Sequence, residues 1–349
     1  MTIPFLSTKI SVRERAFLAR QLATMLGAGV HLTQGISMIA EQVRNKRLQA
    51  ILYEVVADIN KGLSFSTATA KHPDAFDLIF VSIAKSGEAS GKLDEVLEEL
   101  ATQLEEQDEF LSSIRGALIY PAFILVVMIG VAILMSIKVI PQLKQVFFES
   151  GAALPWQTQM LVFISDTMIK FWYIYIIGFL GVVAFLRWYM TTQQGILLYN
   201  QIQIKNPTGI GLSVYMARFA GTLSMLTRAG VPIIQSVNIT AEVMSNEIYR
   251  RSLKEVVSEL ERGIPLSTPI LKNSYFPAIV GQMLTVGEQT GQIDTVLGKL
   301  AKFYREEASR RVHDLSRLFE PAMIVVIGLG VAFIVFAILM PIYNIAQLQ

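Results

Sequence analysis

GEASGKLDEVL, the stretch at Gly87–Leu97, returns at Gly287–Leu297 as GEQTGQIDTVL, an offset of 200 residues. A stretch upstream of it behaves in the same way. Leu22–Ile36 reads LATMLGAGVHLTQGI, and Leu223–Val237 reads LSMLTRAGVPIIQSV, an offset of 201 residues. Self-similarity at a fixed spacing is typical of a duplicated structural unit. The sequence therefore predicts two copies of one unit in this chain.

The residues after each Gly-Glu-x-x-Gly segment have the apolar spacing of a helix. The apolar positions are Leu93, Val96, Leu97, Leu100, Ala101 and Leu104 in the first copy, and Ile293, Val296, Leu297, Leu300 and Ala301 in the second. Ser11 and Glu14 fit a capping box before the first helix. Helix breakers divide each copy into about six segments. The predicted fold class is an all-α membrane protein with two homologous bundles of about six helices each.

Composition indicates a membrane protein. The 349 residues are 52% hydrophobic and only 17% charged, whereas soluble domains are typically about a quarter charged. Three predominantly apolar runs carry no charge, namely Ala117–Ile137, Phe171–Leu186 and Pro321–Tyr343. Because about 20 apolar residues cross a bilayer core, these runs predict three transmembrane helices.

The distribution of Lys and Arg predicts the orientation of these helices. Residues 1–115 carry 12 of these cations and residues 187–320 carry 15, whereas residues 141–170 carry two. Cations accumulate on the cytosolic side of a membrane. We therefore expect a cytosolic N-terminus without a cleavable signal peptide, and an external C-terminus.

The predicted domains alternate between bundles and membrane segments. They are a cytosolic bundle at 1–115, a transmembrane helix at 116–140, a short external loop at 141–169, a transmembrane helix at 170–190, a linker at 191–211, a second cytosolic bundle at 212–317, a third transmembrane helix at 318–343 and an external tail at 344–349.

The sequence offers few candidates for catalysis or for binding a cofactor. The absence of cysteine excludes a disulfide, a cysteine zinc site and a thiol nucleophile. Gly87–Lys92 resembles a phosphate-binding loop, but it is one residue too short and Leu93 replaces the hydroxyl residue. A better interpretation is a glycine turn between helices, with Glu88 and Glu288 near a helix start, where the dipole favours anions. We predict no catalytic residue and no cofactor.

A metal site is not predicted either, because the three histidines are far apart and form no HExxH pattern. One predicted helix is densely acidic and could hold a hard cation such as calcium. The alternative is a solvated face or a face that docks a partner. The acidic residues are Asp94, Glu95, Glu98, Glu99, Glu105, Glu106, Asp108 and Glu109.

The two copies also differ in charge. Residues 1–115 hold 15 acids and 12 bases, and residues 187–320 hold 11 acids and 15 bases. One interpretation is that complementary faces dock the two units, two subunits or a separate partner. The other is that the difference reflects only membrane orientation and a solvated acidic helix.

Several motifs together resemble a known family. They are the Gly-Glu-x-x-Gly segment in both copies, Tyr120-Pro121, Glu320-Pro321, Leu154-Pro155-x-x-Thr158 and Ser165-Asp166. From about residue 12 to about residue 343, the chain resembles the inner-membrane platform proteins of type II secretion systems and type IV pilus machines, the GspF/PilC type.

The resemblance implies an oligomeric, multi-pass protein of the bacterial inner membrane with a periplasmic C-terminus. It implies as partners a cytosolic hexameric ATPase, a pilin or pseudopilin, other inner-membrane assembly proteins and membrane lipid, with no direct contact to nucleic acid. The expected function is the platform of a type IV pilus machine, without enzymatic activity of its own. A type II secretion platform is the alternative, and a membrane scaffold outside any pilus system is a remote one.

Two sets of residues are predicted to carry this role. The glycines and glutamates of the two Gly-Glu-x-x-Gly segments are predicted to shape a partner surface, although backbone geometry alone could explain these residues. The two prolines are predicted to mark where the bundle helices meet the membrane, either as kinks or simply as span starts. The sets are Gly87, Glu88, Gly91, Gly287, Glu288 and Gly291, and Pro121 with Pro321. The last helix of each bundle is expected to run on into a transmembrane helix.

Overall fold

The computed structural model of the protein describes residues 10–142, 145, 156–206 and 208–346. Within these ranges the regular structure is helical, and no β-strand is found. The prediction of an all-α fold is therefore confirmed.

Six helices form the first repeat. They are α1 (Val12–Gly27), α2 (Leu32–Gln42), α3 (Lys46–Asn60), α4 (Phe65–Ala70), α5 (Leu78–Ser90) and α6 (Leu93–Leu134). The capping box at α1 is present, because the Ser11 hydroxyl accepts from the Glu14 amide at 3.2 Å and the Glu14 carboxylate accepts from the Ser11 amide at 2.7 Å. Asn45 and Asp77 cap α3 and α5 with their side chains.

Three helices connect the repeats, and six more form the second repeat. The connecting helices are α7 (Trp156–Lys170), α8 (Trp172–Tyr189) and α9 (Gln193–Lys205). The second repeat consists of α10 (Ile210–Arg228), α11 (Ile233–Val243), α12 (Glu247–Leu260), α13 (Ser267–Lys272), α14 (Ala278–Thr290) and α15 (Ile293–Ala346). Helices α10 to α15 follow the order of α1 to α6, and the four middle pairs have equal lengths or differ by one residue.

The predicted linker at 191–211 is largely helical, since α9 occupies its middle. The hydroxyl of Thr192 accepts a hydrogen bond from the Gly195 amide at 3.1 Å and so caps the first turn. Gly209, one of the residues that indicated a loop, lies beyond the end of α9. The Gln and Leu residues before it favour a helix, and they decide the local structure.

Each repeat buries its own apolar core. Leu22, Ile36 and Phe80 are fully buried in the first core, and Phe219 and Leu284 are fully buried in the second. Burial of one such side chain contributes about 1.5–3 kcal/mol. The apolar stripes that predicted the last bundle helices supply residues to both cores.

The chain divides into two compact units, and both repeats contribute to each. The first unit comprises Met1–Ser113 and Asn200–Arg311, and the second comprises Ile114–Tyr199 and Val312–Gln349. The two bundles therefore belong to one unit. Helices α6 and α15 each begin in the first unit and end in the second.

Three stretches of described helix are long and apolar enough to cross a membrane, as predicted. Each is an apolar window within a helical range, and these ranges are Leu93–Gln142, Trp172–Tyr189 and Ile293–Ala332. The first contains a π-helical segment at Met135–Val139, where the Ser165 hydroxyl donates to the Ser136 carbonyl at 2.7 Å. The Leu154-Pro155 part of the external-loop motif lies outside the described residues.

Candidate functional site

The Gly-Glu-x-x-Gly segment ends α5 in a left-handed turn. Gly91 has φ 69° and its copy Gly291 has φ 68°, a conformation that strains any residue with a side chain. The Lys92 amide donates to the Gly87 carbonyl at 2.9 Å, and the Gly91 amide donates to the Glu88 carbonyl at 3.3 Å. This pattern is a Schellman motif, and it satisfies the last carbonyls of the helix.

The first glycine of each segment allows close helix packing. A methyl group added to Gly87 would lie 2.3 Å from Val96 Cγ2, and one added to Gly287 would lie 3.1 Å from Ile293 Cα. Such distances are shorter than ordinary van der Waals contact. The glycine therefore permits the turn to fold the next helix back against the one before it.

The glutamates cap helices that are distant in sequence. The Glu88 carboxylate accepts from the amides of Phe65 and Ser66, the latter at 3.1 Å, and from the Ser66 hydroxyl. Glu288 binds the amide of Ser267 at 3.3 Å and its hydroxyl. Each carboxylate therefore lies at a helix start, as predicted, but the helices are α4 and α13, packed alongside in the bundle.

The turn has no free cradle for a phosphate group. Its described amides at Gly91 and Lys92 already donate to carbonyls of the same helix, and the glutamate places negative charge beside it. Ala89 and Ser90 on the outer side of the turn are exposed. The turn thus offers a shaped surface, and its glutamate is engaged within the bundle.

Ion pairs cross between the two repeats in the first unit. Arg228 at the end of α10 lies 3.0 Å from Glu99 of α6 and 3.7 Å from Asp294 of α15. Arg305 of α15 pairs with Glu106 of α6. Complementary charges of the two bundles therefore meet at these two places.

Other acids of α6 are neutralised within the first repeat. Arg20 of α1 pairs with Glu98 and lies 2.6 Å from Glu105. The hydrogen bond from Arg20 holds the pKa of Glu105 below its ordinary value. In the part of the chain that is described, no group of three His, Cys, Asp or Glu side chains has an arrangement that could hold a metal ion.

The second repeat also completes the core of the first. Met225, Ala229, Val231 and Ile239 of the α10–α11 hairpin are buried in that core. The Ser86 hydroxyl on α5 donates to the Ala229 carbonyl at 2.5 Å. The two bundles therefore share apolar contacts, a hydrogen bond and ion pairs.

A cleft of about 480 Å³ lies beside this contact, between α10 and the helices α5 and α6. Arg15, Arg218, Arg305 and Gln103 line it, together with the aromatic ring of Phe80. Packing of the two bundles is thus incomplete along α10, and the gap has a polar rim.

The prolines lie inside long helices and begin neither of them. Pro121 is an interior residue of α6 and Pro321 of α15, and each stays a predicted mark of the point where its helix enters the membrane. Proline cannot donate to the carbonyl four residues earlier, which for Pro121 is that of Ala117. The Ser316 hydroxyl of α15 donates to this carbonyl at 3.0 Å.

Sequence reasoning did not single out Arg228 or Ser316. Arg228 could have been found by comparing the copies, because it replaces Gly27 in an otherwise similar segment. For Ser316 the sequence contained no signal, since its partner carbonyl is exposed by a proline of another helix.

The fold defines a class: a membrane protein made from a duplicated helical bundle, in which the last helix of each copy is long and apolar enough to cross the bilayer. Ion pairs and a shared core hold the copies together. The family of type II secretion system (T2SS) protein F matches this chain twice, at residues 18–141 and 219–341. The chain belongs to this family.

Its relatives include proteins of two machines. The type IV pilus assembly protein PilC of Thermus thermophilus is 32% identical over 346 residues, which cover 98% of this chain and 85% of that protein. PilC of Pseudomonas aeruginosa is 30% identical, covering 97% and 91% of the two chains. The type II secretion system protein F of Vibrio cholerae is 30% identical, covering 97% and 84%.

Proposed function

We propose that this protein is the inner-membrane platform of a type IV pilus assembly machine. It docks a cytosolic hexameric ATPase and couples the motion of that ATPase to insertion or removal of pilin subunits. The observation that carries the proposal is the continuity of α6 (Leu93–Leu134) and α15 (Ile293–Ala346). A motion imposed on either bundle would be transmitted along the same helix toward the membrane.

The proposed topology places both bundles in the cytosol and the C-terminus in the periplasm. The excess of Lys and Arg in residues 1–115 and 187–320 supports this orientation. Exposed apolar side chains of α8, such as Phe179 and Ile177, would contact lipid. Homo-oligomers and contacts with other inner-membrane assembly proteins belong to the same proposal.

We propose no enzymatic activity for the platform itself. ATP hydrolysis would belong to the docked partner, whose motion the bundles receive. The occupied amides of the Gly87–Lys92 turn support this division of labour, because that turn was the best candidate in the sequence for binding a phosphate.

The two Gly-Glu-x-x-Gly turns are the proposed contact surface for the ATPase. Glu88 and Glu288 cap helices inside the bundles, so they would shape this surface without touching the partner. Ala89 and Gln289 are exposed on the turns, and they would make the contact. The alternative is that the glycines and glutamates serve the fold alone.

A binding experiment with full-length protein tests the docking proposal. Deletion of either bundle would expose a shared core, because Met225 and Ala229 are buried in the core of the first repeat. Point variants are therefore used in detergent-solubilised protein, against the ATPase encoded beside it. We expect Ala89→Arg with Gln289→Arg to weaken binding about tenfold or more, as expected for a charge placed in the centre of an interface.

Glu41→Arg is the matched control, because Glu41 is exposed on α2, a helix that carries neither turn. Binding by the wild type that the turn variants do not weaken would refute the turn as the contact. No binding by folded wild-type protein would refute the platform function and favour a membrane scaffold outside any pilus system.

A type II secretion platform remains the second candidate, because relatives named for both machines match at 30% to 32% identity. Deletion of the gene separates the two functions. The type IV pilus proposal requires loss of surface pili with normal protein secretion, and the reverse result supports the secretion platform.

A further inference from the structure

Two surfaces form the contact between the repeats, one from each repeat. Because the repeats are copies, each also carries the equivalent of the surface that the other repeat contributes. In the chain, the α10–α11 hairpin of the second repeat covers α5 of the first. The first repeat has the same hairpin between α1 and α2, and the second repeat has the same face on α14. Among the described residues, neither of these surfaces is covered as its counterpart is.

The first-repeat hairpin exposes what the second buries. Met38 is 42% exposed, whereas the equivalent Ile239 is 4% exposed. Ala28 is exposed, whereas Ala229 is 7% exposed and accepts the hydrogen bond from α5. The equivalence follows from the repeat offset of 201 residues.

The receiving helix shows the same difference. On α5, Ile83 is fully buried and Ser86 is half-buried under the second repeat. On α14, Met283, the equivalent of Ile83, is only partly buried, and Val286, the equivalent of Ser86, is 48% exposed. Ile279 is 46% exposed, whereas its equivalent Ile79 is partly buried. Positions 279, 283 and 286 have helical spacing, so Met283 lies with them on one apolar face.

The side chains of the two unused surfaces fit each other. Within the chain, Arg218 of α10 and Gln103 of α6 line the polar cleft beside the contact. Their repeat equivalents are Phe17, 40% exposed on α1, and Phe303, 50% exposed on α15. Two aromatic rings thus take the places of the two polar side chains. In a contact between two copies, these rings would fill the space that corresponds to the open cleft of the internal contact.

The charges of the two surfaces differ from those of the internal contact. Arg305 and Glu106 pair within the chain, whereas their equivalents Glu105 and Glu306 are both acidic, and Glu105 pairs with Arg20 of its own repeat. Arg228, which pairs with Glu99 within the chain, has Gly27 as its equivalent. Glu99 has Lys299 as its equivalent. The new contact would therefore lack the ion pair of Arg228 with Glu99. A basic residue at position 27 would repel Lys299, and Gly27 avoids this repulsion.

We propose that the α1–α2 hairpin of one copy of this chain docks on the α14 face of a second copy, as α10–α11 docks on α5 within each chain. Such a contact is heterologous, because it joins different surfaces of the two copies. Every copy keeps one free hairpin and one free α14 face, so the contact propagates. Copies held in one membrane in the same orientation would close into a ring.

Cysteine cross-linking in native membranes tests this contact, and the chain has no cysteine of its own. Two differently tagged full-length chains are co-expressed, one with Ala28→Cys and the other with Val286→Cys. A short bismaleimide is expected to yield a species that carries both tags. Each variant expressed alone is expected to yield none.

The control is the homologous pair within one chain, Ser86→Cys with Ala229→Cys. It is expected to close inside the chain without an increase in mass, because these residues are in contact. Closure of this control without the mixed species would overturn the proposal. A cross-link between two copies of Val286→Cys would also overturn it, since that result requires a symmetric contact.

A charge on the α14 face gives a second readout. Position 286 already carries the cysteine, so the charge is placed at another exposed position of the same face. The variant combines Ile279→Asp with Val286→Cys. We expect about a tenfold lower yield of the mixed species, because an unpaired charge would be buried in an apolar contact. Ser258→Asp, at an exposed site on α12, is expected to leave the yield unchanged.

This inference rests on the proposed self-association and not on ATPase docking. Native mass measurement separates the two outcomes. An oligomer without the mixed cross-link would refute the surface and leave self-association standing, whereas a monomer would refute both. Loss of ATPase binding with an intact cross-link would refute only the docking proposal.

Discussion

The two repeats place their arginines differently on the same helices. In the first, Arg20 of α1 binds Glu98 and Glu105 of α6, so the pairs close within the repeat. In the second, Gly221 and Gly298 occupy the positions of Arg20 and Glu98. Only the first repeat therefore forms this pair across its own bundle.

The glycines of the second repeat redirect its cations toward the first. A methyl group on Gly298 would lie 2.9 Å from Arg228 Nη2, and one on Gly221 would lie 3.7 Å from Arg305 Nη2. Arg228 and Arg305 reach Glu99 and Glu106 of the first repeat through this space. The comparison teaches that the same helices can close a bundle on itself in one copy and, in the other, also reach the neighbouring bundle, since Arg228 pairs with Asp294 of its own repeat as well as with Glu99.

The largest effect is expected where the repeats are most alike. Gly87→Ala forces a methyl group toward Val96 and Leu93, and Gly287→Ala forces one toward Ile293. Overpacking of this kind costs about 1–3 kcal/mol, and we expect the first variant to lie at the upper end. Thermal unfolding of detergent-solubilised protein, followed by circular dichroism, measures the loss. Equal stability of Gly87→Ala and wild type would contradict the packing role.

The capping glutamates provide a finer comparison. Glu88→Ala leaves two amides without a partner and removes one of the two partners of the Ser66 hydroxyl, whereas Glu288→Ala leaves one amide without a partner and removes a partner of the Ser267 hydroxyl. Loss of a helix cap costs about 0.5–2 kcal/mol, so Glu88→Ala should be the more damaging variant. The same unfolding measurement ranks them. Normal pilus assembly by both variants at normal protein levels would argue against contact between these carboxylates and a partner.

Docking of the repeats through Arg228 should contribute less. A double-mutant cycle with Arg228→Ala and Glu99→Ala is expected to give a coupling of about 0.2–1 kcal/mol, because both side chains are partly exposed. The coupling should shrink in high salt. A cycle on Arg251 and Glu247, which pair within one helix, is the control for a contact that does not cross the repeats.

The smallest effect concerns pH. Arg20 lowers the pKa of Glu105 in the folded state, so the stabilisation is complete above the unfolded pKa and is lost as pH falls through the folded pKa. Arg20→Gln should therefore reduce the fall in thermal midpoint between neutral and acidic pH. In the second repeat, Arg311→Gln should change it less, because Arg310 still lowers the pKa of Glu307. Identical profiles for wild type and Arg20→Gln would exclude this linkage.

Much of the fold was predictable because its signals are local. The uncharged runs predicted three spans, and the stripe from Leu93 to Leu104 predicted the last bundle helix. The partner of Glu88 was not predictable, since α4 meets α5 only through tertiary packing. The same holds for Ser316, which contacts a carbonyl about 200 residues earlier in the chain. The role of Arg228 was partly predictable, because comparison of the repeats shows a change from Gly27 to Arg228 but does not show what the arginine contacts.

The Ser316 hydroxyl lies 3.0 Å from the Ala117 carbonyl of α6 and 3.0 Å from the Val312 carbonyl of its own helix, and it thereby links the two helices at one register. Pro121 leaves the Ala117 carbonyl without its helical donor, and the hydroxyl of α15 replaces it. Sliding by one helical turn, about 5.4 Å, would carry the hydroxyl away and leave the carbonyl bare near the membrane, where an unpaired backbone group is costly. Lengthwise slip of one helix past the other is therefore opposed at this point.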